Sequence, residues 1–192
     1  MLPISREQAL ELLKSMNQTE SDMNHYLESE AVMRKLAERL GENTEYWGML
    51  GLLHDVDWGL TRDNIQEHLT KAPEILKENG FDDKFIKIVV SHGYGWDCAG
   101  LKEKKRTEKI EFALAASETV TGLVYAYALM RGKKISDMES SGLKKKFKDK
   151  KFAAGCNREI ILECEKLGLS LEEFLGIAIE AMKEIKSEIG LI

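Results

Sequence analysis

Only two prolines occur in 192 residues, so little interrupts a helix, because proline removes a backbone donor and clashes with the turn before it. Cysteine is also sparse. Cys98, Cys156 and Cys164 are widely spaced and form no CxxC pair, which argues against a disulfide framework and fits a reducing compartment. Cys156 and Cys164 read as small core residues. Positive charge is not in excess: 28 Lys and Arg stand against 33 Asp and Glu, a net charge of -5. A nucleic-acid polymer is therefore not the expected partner, since phosphate-backbone affinity comes from clustered cations. The stretch from Met1 to Glu7 lacks a charged-then-apolar export pattern, so a cytoplasmic location is expected. The longest apolar run, Phe112 to Met130, carries Ser117, Glu118, Thr119, Thr121 and Gly122 at its middle. An intramembrane Glu is costly, so the run reads as a buried core helix rather than a membrane span.

Period-two alternation between turn signals is missing as well, whereas apolar residues recur at three and four along nearly the whole chain. The expected fold is all-α: one compact helical bundle over residues 1–192, with a core of about 20–132 and a helical extension of about 133–192. Ser5 and Gln8 predict a capping box for a helix to about Lys14; a second spans about Ser21 to Leu40 and stops at Gly41. Asn43 is placed to cap a third ending near Asp55. Asp63 or Asn64 is expected to start a helix through Lys77, and Asp82 one that ends at His92-Gly93. Residues 93–105, with three glycines among Tyr94, Trp96 and Asp97, read as a loop. A long helix runs from Thr107 to about Met130, and the last from Ser170 to about Ile189. The lysine-rich run 144–151 reads as a solvated helix face or a link between helices. There is no internal repeat.

The chemistry concentrates at His54-Asp55, which ends the apolar stretch from Trp47 to Leu53. A helix that apolar is buried nearly all round, and an ionised carboxylate carried into the interior is costly unless it is paired. Asp also has the wrong sign for a helix C-terminus. A bound cation resolves both problems. Glu118, amid small and apolar residues of the long helix, poses the same demand. The chain has four histidines, His25, His54, His68 and His92, and each has an ordinary structural reading when taken singly. Together with two buried carboxylates they form an N/O donor set suited to Zn, Fe, Mn, Co or Ni rather than to Ca or Mg.

The order His, His-Asp, His, His and then a carboxylate on a long helix resembles the HD-domain superfamily of metal-dependent phosphohydrolases, particularly its small stand-alone HDIG-type proteins. The resemblance extends over residues 24–33, 51–57, 67–76, 121–123 and 144–158. It implies that His25, His54, Asp55 and Glu118 hold one divalent ion and that Asp55 bridges to a second held by His68 and His92. The family usually has Asp where this chain has Glu118, a side chain longer by about 1.5 Å.

A metal pair about 3.5 to 4 Å apart suits hydrolysis of a phosphomonoester or phosphodiester by a metal-activated hydroxide. The expected substrate is a small phosphorylated compound or nucleotide. Lys71, three residues after His68, is expected on the same helical face, where it either meets a phosphate oxygen or is an ordinary surface lysine. Asp57 is expected to accept a proton from a leaving group, to hold an imidazole N–H, or to cap the following turn. Tyr94 and Trp96 form either a wall for a flat group or ordinary core packing. Two other functions remain open: a mixed-valent di-iron oxygenase and a non-catalytic phospho-ligand-binding module. Monomer and homodimer are equally compatible with the sequence.

Overall fold

Side-chain caps set most of the helix starts in the structure, a computed structural model that describes residues 2–192. Ser5 and Gln8 close a capping box at the head of α1 (Arg6–Ser15), and Thr19 and Asp22 close another on α2 (Glu20–Leu40). Each box satisfies amides that a helix start leaves open. Gly41, at φ +71°, ends α2 in the left-handed region, where a side chain would be strained. Asn43 caps α3 (Thr44–Leu53), and a short α4 (Trp58–Thr61) follows the turn through His54 and Asp55. Next come α5 (Ala72–Glu78) and α6 (Asp83–Ser91), the latter capped by Asp82. α7 (Lys109–Met130), α8 (Ser140–Lys148), α9 (Arg158–Ile161) and α10 (Leu171–Glu184) complete the chain, with 3-10 turns at Ile65–Glu67 and Leu162–Leu167. No strand occurs among the described residues. The fold is all-α, as the periodicity predicts.

α2 and α7 form the centre. α2 packs on α3, α7 and α10, while α7 also meets α3, α6, α8 and α9. By length and composition α7 could cross a membrane, but 61% of its apolar window is buried inside the protein, which makes it the core helix. The C-terminal elements lie on this core, with α8 and α9 against α7 and α10 against α2. On α8, Leu143 and Phe147 are buried while the lysines lie along its outer side, a solvated face.

One close approach matters for the site. A Cβ on Gly51 of α3 would stand 2.5 Å from the Ser29 carbonyl oxygen of α2, so only glycine lets these backbones meet there. The same approach brings the rings of His25 and His54 to a centroid distance of 5.0 Å.

The expected helix from Asn64 to Lys77 is not formed. After the 3-10 turn, His68 has ψ 134° and Leu69 has φ +68°, and α5 begins only at Ala72. Pro73 explains the break, because proline is tolerated in a first helical turn and not in an interior. Lys71 therefore does not share a helical face with His68; it stands exposed at the N-cap of α5. Smaller differences fall at helix ends. α7 starts two residues after Thr107, where Glu111 accepts from the Thr107 and Glu108 amides, and α10 ends at Glu184, with turns continuing to Gly190.

Candidate metal centre

Four helix ends and turns deliver the four imidazoles to one place. His25 comes from α2, His54 from the end of α3, His68 from the bend before α5, and His92 from the end of α6. Their outer nitrogens are fixed by neighbours. His54 Nδ1 lies 2.8 Å from the Gly51 carbonyl oxygen and His92 Nδ1 lies 2.7 Å from that of Val89. A carbonyl can only accept, so both Nδ1 atoms carry the proton. His25 Nδ1 lies 3.1 Å from Thr121 Oγ1, whose own hydrogen goes to the Glu118 carbonyl oxygen at 2.7 Å; the hydroxyl is thus the acceptor. His68 Nδ1 faces Asp57 Oδ1 at 3.3 Å, a charge contact that favours a proton on that nitrogen although its geometry is not that of a hydrogen bond.

All four Nε2 atoms therefore face inward. His25 Nε2 and His54 Nε2 are 3.1 Å apart, and His68 Nε2 and His92 Nε2 are 3.4 Å apart. The Asp55 carboxylate sits between the pairs, with Oδ2 3.5 Å from His54 Nε2 and Oδ1 3.3 Å and 3.1 Å from those of His68 and His92. Asp55 Oδ1 is buried with no hydrogen-bond donor. Lone pairs so arranged repel unless a cation lies among them.

The donor groups fit one. His25, His54 and Asp55 form one cluster and Asp55, His68 and His92 a second. Two ligands bound at about 2.1 Å and set roughly 90 to 110° apart lie about 3.0 to 3.4 Å from each other, which matches both imidazole separations. The electrostatics point the same way. Burial pushes the His54 imidazole down to about 3, even beside Asp55, so it is a neutral donor. Burial works to raise Asp55, but the surrounding imidazoles outweigh it and hold the carboxyl well below its ordinary range. At His68 burial is outweighed by Asp55 and Asp57, which lift it to about 10. The site demands positive charge, which a divalent ion held by these residues would supply.

A model of the HD domain matches residues 23–120 of the chain. The chain belongs to the HD-domain family. HD domains form a superfamily of metal-dependent phosphohydrolases, and the His/Asp clusters of this member are able to hold metal. Beyond the family model, no curated protein and no solved structure matches the chain.

Two residues take the supporting or surface alternative among those the sequence left open. Asp57 is fully buried, and its carboxylate accepts from the amides of Leu69, Lys71 and Ala72 at 3.0 to 3.2 Å while facing His68. It holds the His68 bend in place and has no access to a leaving group. Lys71 contributes its backbone amide to Asp57, and its exposed side chain does not line the site cavity. Glu118 does line that cavity, but it accepts from the Thr119 hydroxyl and lies outside both donor clusters. Burial raises its carboxyl above the ordinary value.

The cavity is open to solvent and has a volume of about 540 Å³. Trp96 lines it and is 48% exposed, whereas Tyr94 packs on the core. Sequence reasoning missed several contributors. Trp58 lines the cavity and meets the His68 ring edge-on at 5.2 Å. Arg106, 7% exposed, donates to the carbonyls of Ser91, His92 and Tyr94 and pairs with Glu163, fastening the His92 turn to the C-terminal extension. Gly155, Cys156 and Asn157 form a wall from beyond the matched residues. Gly155, Cys156 and Asn157 lie within the 144–158 stretch of the sequence resemblance, which gave them no role at the cavity.

Proposed function

We propose that this HD-domain protein hydrolyses a phosphoester of a small phosphorylated compound with the aid of two divalent transition-metal ions. One observation carries the reading: four Nε2 atoms and an orphaned Asp55 oxygen converge on the floor of an open cavity. His25, His54 and Asp55 would hold one ion and Asp55, His68 and His92 the other. Ions in such a site act as Lewis acids, lowering the pKa of a water and offsetting charge on a phosphoryl group.

The chain's own residues supply position and order. Asp55 links the two halves, so any shift of its carboxylate is felt by both. Gly51, Val89, Thr121 and Asp57 orient the imidazoles from their Nδ1 sides, directing all four Nε2 atoms toward the cavity. Overall, the water oxygen forms a new bond to phosphorus, the ester P–O bond breaks, and one water proton ends on the departing alcohol. The donor set alone does not choose between Zn, Fe, Mn, Co and Ni.

The test is a phosphoester screen on protein loaded separately with each metal, run beside Asp55→Ala. Phosphate release by the wild type and none by the variant is expected. Phosphoester binding without turnover, in protein carrying both ions, would overturn hydrolysis in favour of a binding module. Oxygen consumption by iron-loaded protein without phosphoester turnover would favour an oxygenase.

A further inference from the structure

The cavity wall facing the metal donors has an unusual charge. None of its lining residues is a lysine or arginine, although the chain has 28 of them. Basic residues come close in sequence without reaching it. The lysine run 144–151 ends four residues before Gly155, and Arg158 follows Asn157 directly. Arg158 turns its guanidinium away from the cavity, donating to the carbonyls of Phe147, Asp149, Phe152, Ala153 and Cys156. The guanidinium thus organises the wall segment and is not available to a phosphate. Cys156 seats that segment on α7, since a Cβ on Gly122 would come within 2.9 Å of its Sγ.

What the wall does offer is neutral donors, carboxylates and aromatic area. Asn157 lines the cavity and its Oδ1 accepts from the Glu159 amide at 2.9 Å, which leaves Nδ2 as the donor its side chain has to offer. Asp97 is exposed in the loop after α6 and, with Glu118, adds negative charge. Trp58 and the half-exposed Trp96 supply flat apolar surface. One phosphoryl group placed at the metal donors has its charge met there. A second or third would lie against neutral and acidic side chains with no cation to meet it.

We propose that the cavity selects esters bearing a single phosphoryl group on an uncharged or cationic hydrogen-bonding body, with Asn157 Nδ2 donating to the substrate and Asp97 rejecting additional phosphates. This rests on the phosphohydrolase reading and deepens it. In each case water adds across the ester bond, giving the alcohol and the free phosphate. The Gly155–Asn157 wall lies outside the residues matched by the family model, so the selection is set by the C-terminal extension and not by the matched HD core.

The experiment compares adenosine 5′-mono-, di- and triphosphate on metal-loaded protein. Adenosine release is followed, so that the same ester bond is read in all three, and binding is read by quenching of tryptophan fluorescence. The monophosphate is expected to exceed the triphosphate in kcat/KM by roughly tenfold or more. Asp97→Lys should narrow that ratio by about tenfold, chiefly through KM, with metal content unchanged. Asn157→Asp keeps the cap acceptor and loses the donor; it should raise KM for the monophosphate while leaving the thermal midpoint in place. Triphosphate turned over as well as monophosphate by the wild type, or a ratio unmoved by Asp97→Lys, would overturn the selection and leave hydrolysis standing. If no compound is turned over with both ions bound, the hydrolytic reading fails. Quenching still decides the selection in that case, and tighter binding of the triphosphate would overturn it.

Discussion

Changing Asp57 to Asn removes one charge and almost no volume, at a residue with no solvent exposure. Its carboxylate accepts from the Lys71 and Ala72 amides through Oδ2 and from the Leu69 amide through Oδ1, which also faces His68 Nδ1. An Asn side chain keeps one acceptor oxygen. If that oxygen stays on Lys71 and Ala72, its NH2 group confronts two donors, the Leu69 amide and the His68 N–H. A hydrogen bond to a charged group contributes about 1.5 to 3 kcal/mol, so losing that of the Leu69 amide predicts a destabilisation of about 1.5 to 3 kcal/mol, to which the lost His68 contact adds. That is a large part of the 5 to 15 kcal/mol that typically separates folded from unfolded chains. The imidazole also responds: facing a donor at Nδ1, His68 moves its proton to Nε2 and loses the lone pair that binds metal. Loss of such a supporting partner typically lowers metal affinity about 10- to 100-fold. Urea unfolding reads the stability and metal titration reads the site, where the Asp55, His68 and His92 half should weaken and the His25 and His54 half should hold. Unchanged stability with both ions retained, and only kcat lowered, would refute the positioning role and return Asp57 to proton transfer.

Three further outcomes follow from the packing. Gly51→Ala places a Cβ 2.5 Å from the Ser29 carbonyl oxygen; thermal unfolding should show a loss of about 1 to 3 kcal/mol, with weaker metal binding as His25 and His54 separate. Full stability would mean that α2 and α3 part without cost. Glu28, 4% exposed, has its carboxyl raised to about 8 by burial alone, so the folded state holds this proton more tightly than the unfolded chain. Its contribution to stability is complete below the unfolded value near 4.5 and is lost as pH rises toward 8. Glu28→Gln should therefore gain on the wild type across that window, by at most about 5 kcal/mol, and a pH-independent difference in denaturant midpoints would refute the assignment. Glu118→Gln should retain both ions by elemental analysis, since the carboxylate is engaged by Thr119 outside the donor clusters; loss of one ion would make Glu118 a ligand.

Much of this was legible because helices and ligands leave local marks. The caps at Ser5, Thr19, Asn43, Asp82 and Ser170 mark where helices begin, and an ionised Asp at the end of an apolar helix announces the need for a cation. Pro73 was equally visible, yet its consequence for His68 depends on Asp57, fourteen residues from Lys71, collecting the amides the broken helix leaves open. Long-range pairing of that kind has no periodic signature. The Asn157 wall belongs to the 144–158 stretch of the resemblance, but its role was hidden for the same reason: it reaches the cavity only once Arg158 has gathered five carbonyls and Cys156 has met Gly122. Glu118 lines the cavity with the histidines, as the sequence order places it, while its contact with the adjacent Thr119 hydroxyl is a side-chain detail that order does not carry.

Metal content per chain, measured by elemental analysis on untagged protein purified without chelator and reconstituted with each candidate metal, bears most directly on the centre described above. Two clusters sharing Asp55 predict about two equivalents in the wild type and neither retained by Asp55→Ala. Metal-free wild type after reconstitution, or both ions retained without Asp55, would contradict it.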